Sequence, residues 1–115
     1  MATAVTMATI EDFAQVDLRV GRIVAAEPFP EARKPAYKLT IDFGPLGLRR
    51  CSAQLTDLYE LDELPGRLVV AVVNFPPRRV AGFVSEVLVL GVPDAAGRVA
   101  LLTPERDVPL GGRVY

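Results

Sequence analysis

The sequence predicts an all-β fold: a five-stranded barrel with a short N-terminal helix, a short helix between strands 3 and 4, and a C-terminal β extension. Short apolar segments recur along the chain and are separated by turns that use many of its 9 Gly and 10 Pro residues. Several segments alternate apolar and polar residues, the period of a half-buried strand. The length of 115 residues indicates a single domain over residues 1–115.

The N-terminal segment is predicted to begin without structure and to continue as a helix. Residues 1–8 show no periodicity, so we expect them to be disordered. Thr9-Ile10-Glu11-Asp12 resembles a capping box with Asp in the last position, which predicts a short helix over about Ile10 to Gln15. This helix would place Ile10 and Phe13 on one side.

Three strands are predicted in the first half of the chain. The first runs from Leu18 to Glu27, and its change of parity near Gly21 indicates a bulge or a bend. The second, Tyr37 to Phe43, alternates apolar and polar residues throughout. In the third, Leu48 to Ala53, we expect Cys51 to face the core.

The second half supplies the remaining elements. Leucines recur at every third position between Gln54 and Leu64, which predicts a short helix or 3₁₀ turns. Strand 4 is predicted from Leu68 to Val73, strand 5 from Val84 to about Val92, and a short strand from Val99 to Leu102. Strands 4 and 5 are apolar on both faces, so we expect the terminal segments or a second subunit to cover one face. This order of elements is that of the OB fold.

The composition limits the function. The chain is 50% hydrophobic, which favours a second apolar surface, either a self-association interface or a groove, over an Ala- and Val-rich composition without a partner. The net charge of −1 argues against general nucleic-acid binding but permits a local basic patch. The absence of His and the single cysteine argue against a metal site, a cofactor site and an enzyme.

The cellular compartment is also predicted. A single cysteine cannot form an intrachain disulfide, which fits a reducing environment. The first residues do not resemble a secretory signal, and no apolar stretch is long enough to cross a membrane. We therefore expect a cytoplasmic protein without membrane insertion.

The segment from Asn74 to Phe83, between the two apolar strands, is the strongest candidate ligand site. Asn74 is either a turn residue or a ligand contact, and Pro76-Pro77 stiffens the loop. Arg78 and Arg79 suit phosphate or carboxylate groups but are equally compatible with solvation.

Further side chains extend this candidate site. Phe75 and Phe83 flank the loop, where they either stack on a ligand or anchor the loop on the core. Ser85 and Glu86 stand near its base. Two cations that we expect to point outward from strands 2 and 3 would extend a basic patch across the barrel face: Lys38 and Arg50.

Several motifs resemble the tRNA-binding-domain family, an OB-fold module found on some aminoacyl-tRNA synthetases and also alone. The matching positions are Asp17-Leu18-Arg19-Val20-Gly21, Lys38-Leu39, Asp42, Gly44, Tyr59, Leu64, Gly66 and the stretch from Asn74 to Ser85. The resemblance covers about Phe13 to Tyr115. It implies that Asn74, Arg78, Arg79 and Ser85 contact tRNA, with Lys38 and Arg50 as additional tRNA-binding candidates.

Other stretches resemble the branch of this family that is described as an export-related chaperone. They are Pro28 to Pro35, Ser52 to Leu55, Val73 to Arg78 and Ser85 to Gly91. This resemblance implies a homodimer joined through the terminal extensions, including residues 93–115, that binds unfolded preproteins or peptides. The candidate peptide-binding residues are Phe75, Arg78, Phe83 and Glu86. The alternative is a tRNA-binding module without a chaperone role.

Overall fold

A computed structural model describes residues 6–115 of the chain. The strands are β1 (Leu18–Pro28), β2 (Tyr37–Asp42), β3 (Leu48–Ala53), β4 (Leu68–Val72), β5 (Arg78–Val80), β6 (Phe83–Ser85), β7 (Leu88–Val89), β8 (Gly91–Pro93) and β9 (Val99–Leu101). Five of them form an antiparallel sheet in the order β3-β2-β1-β4-β7. This sheet curls into a nearly closed barrel, which confirms the predicted fold class.

The core lies inside this barrel and follows the alternation predicted for β2. Leu39, Ile41 and Phe43 are fully buried, and Cys51 joins them from β3. Val69 and other side chains from β4 complete the cluster. Burial of this many apolar groups is the main stabilising contribution of the fold.

β1 is irregular, as its change of parity predicted, but the bulge lies further along the strand. The register with β2 shifts between Ile23 and Ala25, which leaves Val24 as the extra residue. Gly21 has a different role, since a Cβ atom there would lie 2.5 Å from Ile41 Cγ2 and 2.8 Å from Phe43 Cε1. Only glycine allows β2 to approach β1 this closely.

The helices are short. α1 spans Ile10–Ala14 and begins with the predicted capping box: the Thr9 hydroxyl accepts a hydrogen bond from Asp12 N–H, and the Asp12 carboxylate accepts one from Thr9 N–H. The leucine repeat between strands 3 and 4 forms turns and one 3₁₀ helix, Leu61–Glu63. Disorder was predicted for residues 1–8. Residues 1–5 lie outside the described part of the chain, and residues 6–8 have no regular secondary structure.

The predicted strand 5 is not continuous. It is divided into β6, β7 and β8, with a bend at Glu86-Val87, and only β7 pairs with β4. β8 pairs instead with β9, so the predicted C-terminal β extension is a hairpin. At this bend Glu86 exchanges hydrogen bonds with Arg50 of β3, a long-range contact that the local apolar pattern does not encode.

The C-terminal tail adds a further edge to β1. Val20 N–H donates to Gly112 O at 2.9 Å, Gly111 N–H donates to Val20 O at 2.8 Å, and Val114 N–H donates to Leu18 O at 2.9 Å. The tail thus occupies the first half of β1, where β2 does not pair. Among the described residues, none of the helices is long and apolar enough to span a membrane.

Candidate binding hairpin and groove

The predicted ligand loop is a β-hairpin rather than an irregular connection. β5 pairs with β6, with Arg78 opposite Ser85 and Val80 opposite Phe83. The turn residues Ala81 and Gly82 have φ values of 48° and 82°. Positive φ at both positions is the geometry of a type I′ turn, which matches the twist of the two strands.

The hairpin presents its two arginines to solvent. Arg78 and Arg79 are exposed on β5. Within residues 6–115, neither guanidinium has a carboxylate within salt-bridge distance. Both positive charges are therefore available to an anionic ligand or to water, the two alternatives that the sequence left open.

Asn74, at the base of the hairpin, is held from both ends of its side chain. Its Oδ1 accepts a hydrogen bond from Asp17 N–H at 2.8 Å, and its Nδ2 donates to Gln15 O at 2.8 Å. The backbone continues this contact, since Val73 N–H donates to Asp17 O at 2.9 Å. The side chain is thus engaged in a contact between distant segments, whereas the sequence suggested a turn residue or a ligand contact.

Ser85 and Glu86 close the barrel. Ser85 Oγ accepts a hydrogen bond from Ser52 N–H at 3.1 Å, and Glu86 Oε1 accepts one from Arg50 N–H at 2.8 Å. Glu86 N–H in turn donates to Arg50 O at 2.7 Å. Two side chains and one backbone N–H thereby satisfy the edge of β3 in place of a neighbouring strand.

Phe83 anchors the hairpin on the barrel face. Its ring meets the buried Phe29 ring edge-to-face at a centroid distance of 5.5 Å. Lys38 Nζ lies 5.3 Å from the Phe83 ring centre, and the Arg50 guanidinium carbon lies 4.9 Å from it. Arg50 also pairs with Glu27 at 3.3 Å. The outward position predicted for Lys38 and Arg50 is therefore combined with cation–π contacts.

A groove of about 960 Å³ lies beside the hairpin. Its apolar lining includes Leu55, Val80, Val87 and Val89, together with the half-exposed Phe75. Four cationic side chains also line it, Arg33 and Lys34 from the loop before β2 and Arg78 and Arg79 from β5, with Glu86 as an acidic neighbour. An apolar groove with a basic rim suits an extended polymer that carries apolar groups and negative charge.

A second cavity of about 480 Å³ lies elsewhere on the surface. Tyr59, Arg67 and Arg106 line it, and the Arg67 guanidinium carbon lies 5.0 Å from the Tyr59 ring centre. None of the predicted site residues contributes to its lining. We therefore assign the candidate site to the hairpin groove.

The single cysteine of the chain, Cys51, is buried in the core. Burial raises the pKa of the Cys51 thiol to about 12, with a further contribution from the nearby Glu86 charge, so this thiol stays protonated. Among residues 6–115, no cluster of three or more acidic or Cys side chains is placed to hold a metal ion. The groove itself offers charge, aromatic surface and apolar contact for recognition.

Three site residues were not predicted from the sequence. Phe29 contacts the Phe83 ring, and Arg33 and Lys34 line the same groove as Arg78 and Arg79. The signal for Phe29 was an aromatic residue enclosed by Pro28 and Pro30, positions that stop strand pairing. The basic pair Arg33-Lys34 was visible, but its proximity to the hairpin depends on the fold.

Comparison with known proteins agrees with this architecture. Residues 18–113 match the family model described as "Putative tRNA binding domain". Methionine–tRNA ligase 1 of Sorangium cellulosum is 43% identical over 107 residues, which are 93% of this chain and 15% of that protein. The methionine–tRNA ligase of Pyrococcus abyssi is 39% identical over 104 residues, 90% of this chain and 14% of that protein. The chain thus spans only about a seventh of these relatives, and the resemblance concerns one of their domains.

Solved structures give a similarity over whole chains. The chaperone CsaA of Bacillus anthracis is 55% identical, with a TM-score of 0.89 over 96% of this chain and 100% of that chain. The CsaA chaperone of Picrophilus torridus is 49% identical, with a TM-score of 0.88 over 95% of this chain and 100% of that chain. Both the predicted family and its predicted branch are confirmed: this chain belongs to the tRNA-binding-domain family and is of the CsaA type.

Proposed function

We propose that this protein is a cytoplasmic, homodimeric chaperone that binds unfolded preproteins or peptides in protein export and also binds tRNA. The observation that carries the proposal is the groove beside the hairpin, whose apolar lining is bordered by exposed arginines. Unfolded polypeptides expose apolar side chains that folded proteins bury, and such a groove removes them from water. The similarity to CsaA chaperones supports the same function.

The predicted peptide-binding residues contribute in different ways. Phe75 is 46% exposed and lines the groove, so it offers apolar surface directly to a polypeptide. Arg78 offers a charge at the rim. Phe83 and Glu86 support the hairpin through Phe29 and β3, so we propose that they act mainly by fixing the shape of the groove.

A homodimer would bury apolar side chains that are exposed on the single chain. Register places Leu18, Val72 and Leu88 in one row on the same face of the sheet. Val72 is only 3% exposed, whereas Leu88 is 44% exposed. The predicted interface includes residues 93–115, but the tail from Gly111 is already paired with β1 of its own chain. We therefore propose that the partner contacts the β8–β9 hairpin and the neighbouring exposed apolar residues.

Suppression of aggregation tests the chaperone function. An unfolded enzyme diluted from denaturant should aggregate more slowly when the protein is present, and the expected affinity is in the micromolar range, about −8 kcal/mol. Replacement of Phe75 by Ser should reduce this protection, while Arg106→Ala, at the second cavity, should leave it unchanged. The proposal fails if the wild-type protein neither slows aggregation nor binds the unfolded chain.

The second candidate function, tRNA binding without a chaperone role, rests on Arg78 and Arg79 of β5, which form no salt bridge with any residue in 6–115. Phosphate contacts make affinity fall with salt, each contact adding about one unit to the logarithmic slope. The variant Arg78→Ala/Arg79→Ala should therefore bind tRNA more weakly and lower that slope by about two. A slope and an affinity equal to those of wild type would remove these arginines from the tRNA site.

A further inference from the structure

A polar cluster connects the hairpin base to both ends of the chain. Asn74 bonds Gln15 O and Asp17 N–H, each at 2.8 Å, with both ends of its amide. The Asp17 carboxylate accepts hydrogen bonds from Arg19, with Nε at 2.7 Å, and lies 3.5 Å from Arg113 Nε. We call these four side chains the anchor cluster: Asp17, Arg19, Asn74 and Arg113.

The anchor cluster joins the C-terminal tail to the segment from Ala14 to Asp17, to which Asn74 is hydrogen-bonded. Arg113 donates from its terminal nitrogen to Ala14 O at 2.8 Å, next to the carbonyl of Gln15 that Asn74 binds. Arg19 donates to Gly111 O at 3.0 Å, and Arg19 pairs with Arg113 through a β-bridge. The segment from Ala14 to Asp17 is therefore held by the tail on one side and by the hairpin base on the other.

Each end of the Asn74 amide makes one of these bonds, so a ligand that took the place of either partner would break a contact between distant segments. If the Asn74 amide leaves its partners, Asp17 N–H and Gln15 O lose their hydrogen bonds to it, which costs free energy. Both groups bound by Asn74 belong to backbone more than fifty residues away in sequence, with separations of 57 and 59. The side chain is thus committed to the connection between segments, even though it lies at the solvent-exposed base of the site.

We propose that Asn74 is a positioning residue, and that the anchor cluster sets the orientation of the β5–β6 hairpin from the C-terminal tail. The far side of the hairpin is fixed by Phe83 on Phe29 and by the bonds from Ser85 and Glu86 to β3. The near side depends on Asn74. Loss of Arg113 from the tail therefore loosens the same side of the hairpin, and ligand binding at Arg78 and Arg79 weakens in consequence. This inference rests on the proposed function.

A double-mutant cycle on tRNA binding tests the inference. Unfractionated tRNA is titrated against wild type, Asn74→Ala, Arg113→Ala and the double variant at one salt concentration. Each single variant should weaken binding about three- to tenfold, and the double variant should be no weaker than the weaker single one, since both changes release one segment. Arg106→Ala removes the same charge from an exposed side chain at the second cavity and is the control for Arg113→Ala.

Amide hydrogen exchange supplies a readout that a general loss of stability would not produce. Exchange should accelerate in β5 and β6 of the Asn74→Ala and Arg113→Ala variants and stay unchanged in the buried strand β2. If Asn74→Ala does not fold, Asn74→Asp is used, which keeps the acceptor for Asp17 N–H but replaces the donor to Gln15 O with a second acceptor oxygen; it should give the same pattern.

The outcomes separate two failures. If wild type does not bind tRNA, the tRNA part of the proposed function is overturned, and this inference falls with it. If wild type binds tRNA but the fold-losses of affinity from the two single substitutions multiply in the double variant, Asn74 acts independently of the tail and only this inference is overturned. An unaltered affinity in Arg113→Ala, or faster exchange in β2 as well as in the hairpin, would also overturn it.

Discussion

Individual side chains in the hairpin have two roles that sequence patterns do not separate. The sequence left two roles open for Phe83, stacking on a ligand or anchoring the loop, and its contact with Phe29 supports anchoring. Ser85 and Glu86 were site candidates that also bond β3. Within the described residues, Arg78 and Arg79 form no salt bridge and Phe75 is half-exposed in the groove, so we assign direct ligand contact mainly to these three.

The strained residue of the turn gives a stability prediction. Ala81 is the non-glycine residue with positive φ, at 48°, among residues 6–115. An alanine in this region costs about 1 kcal/mol, whereas Asn tolerates it and favours type I′ turns when Gly follows, as Gly82 does. Ala81→Asn should raise the free energy of unfolding by up to about 1 kcal/mol in denaturant titrations. Ala95→Asn, in another turn, is the control, and equal stability of both variants would contradict the strain.

Cys51 gives a prediction about pH. Burial raises the pKa of its thiol from its ordinary value near 9 to about 12, so folding favours the protonated form. The contribution of this thiol to stability is therefore complete below pH 9 and declines as the pH rises from 9 towards 12. Cys51→Ala should show a smaller loss of stability across that range. Rapid labelling of the native thiol at pH 8 would contradict the burial.

The edge of β3 shows how one side chain completes an element. Glu86→Ala removes the acceptor from Arg50 N–H and should lower the free energy of unfolding by about 1–3 kcal/mol. Glu86→Gln keeps an acceptor oxygen and should lose less. Denaturant titration of both variants measures the difference. If Ala and Gln have the same effect, the hydrogen bond to β3 does not hold the barrel closed.

The elements that the sequence predicted are those with local signals. The bounds of β3 were predicted to the residue, β2 followed its alternation, and α1 followed its capping box. The hairpin β5–β6 was missed because only Gly82 marks its turn, and Ala81 is an unusual partner for it. The division of strand 5 was missed because Glu86 is hydrogen-bonded to Arg50 of β3, which lies 36 residues away in sequence. Partners at such separations depend on the barrel itself.

At the scale of the whole molecule, several large apolar side chains among residues 6–115 are exposed. Ile10, Val92 and Leu102 are 74%, 51% and 40% exposed. Exposed apolar groups on this scale favour association. Sedimentation equilibrium at micromolar concentration should therefore give twice the monomer mass, and Val92→Asp should shift the protein towards the monomer. A monomer mass for wild type under these conditions would contradict the homodimer.

The most direct test of the account locates a bound polypeptide on the surface. An unfolded polypeptide with blocked cysteines is titrated into isotope-labelled protein, and backbone amide signals are followed by NMR. If the polypeptide binds in the hairpin groove, the signals that change should belong to groove residues, including Leu55, Phe75, Val80 and Val87, while those of Tyr59 and Arg67 at the second cavity should stay in place. Changes confined to the second cavity, or no changes at all, would contradict the assignment of the hairpin groove as the polypeptide site.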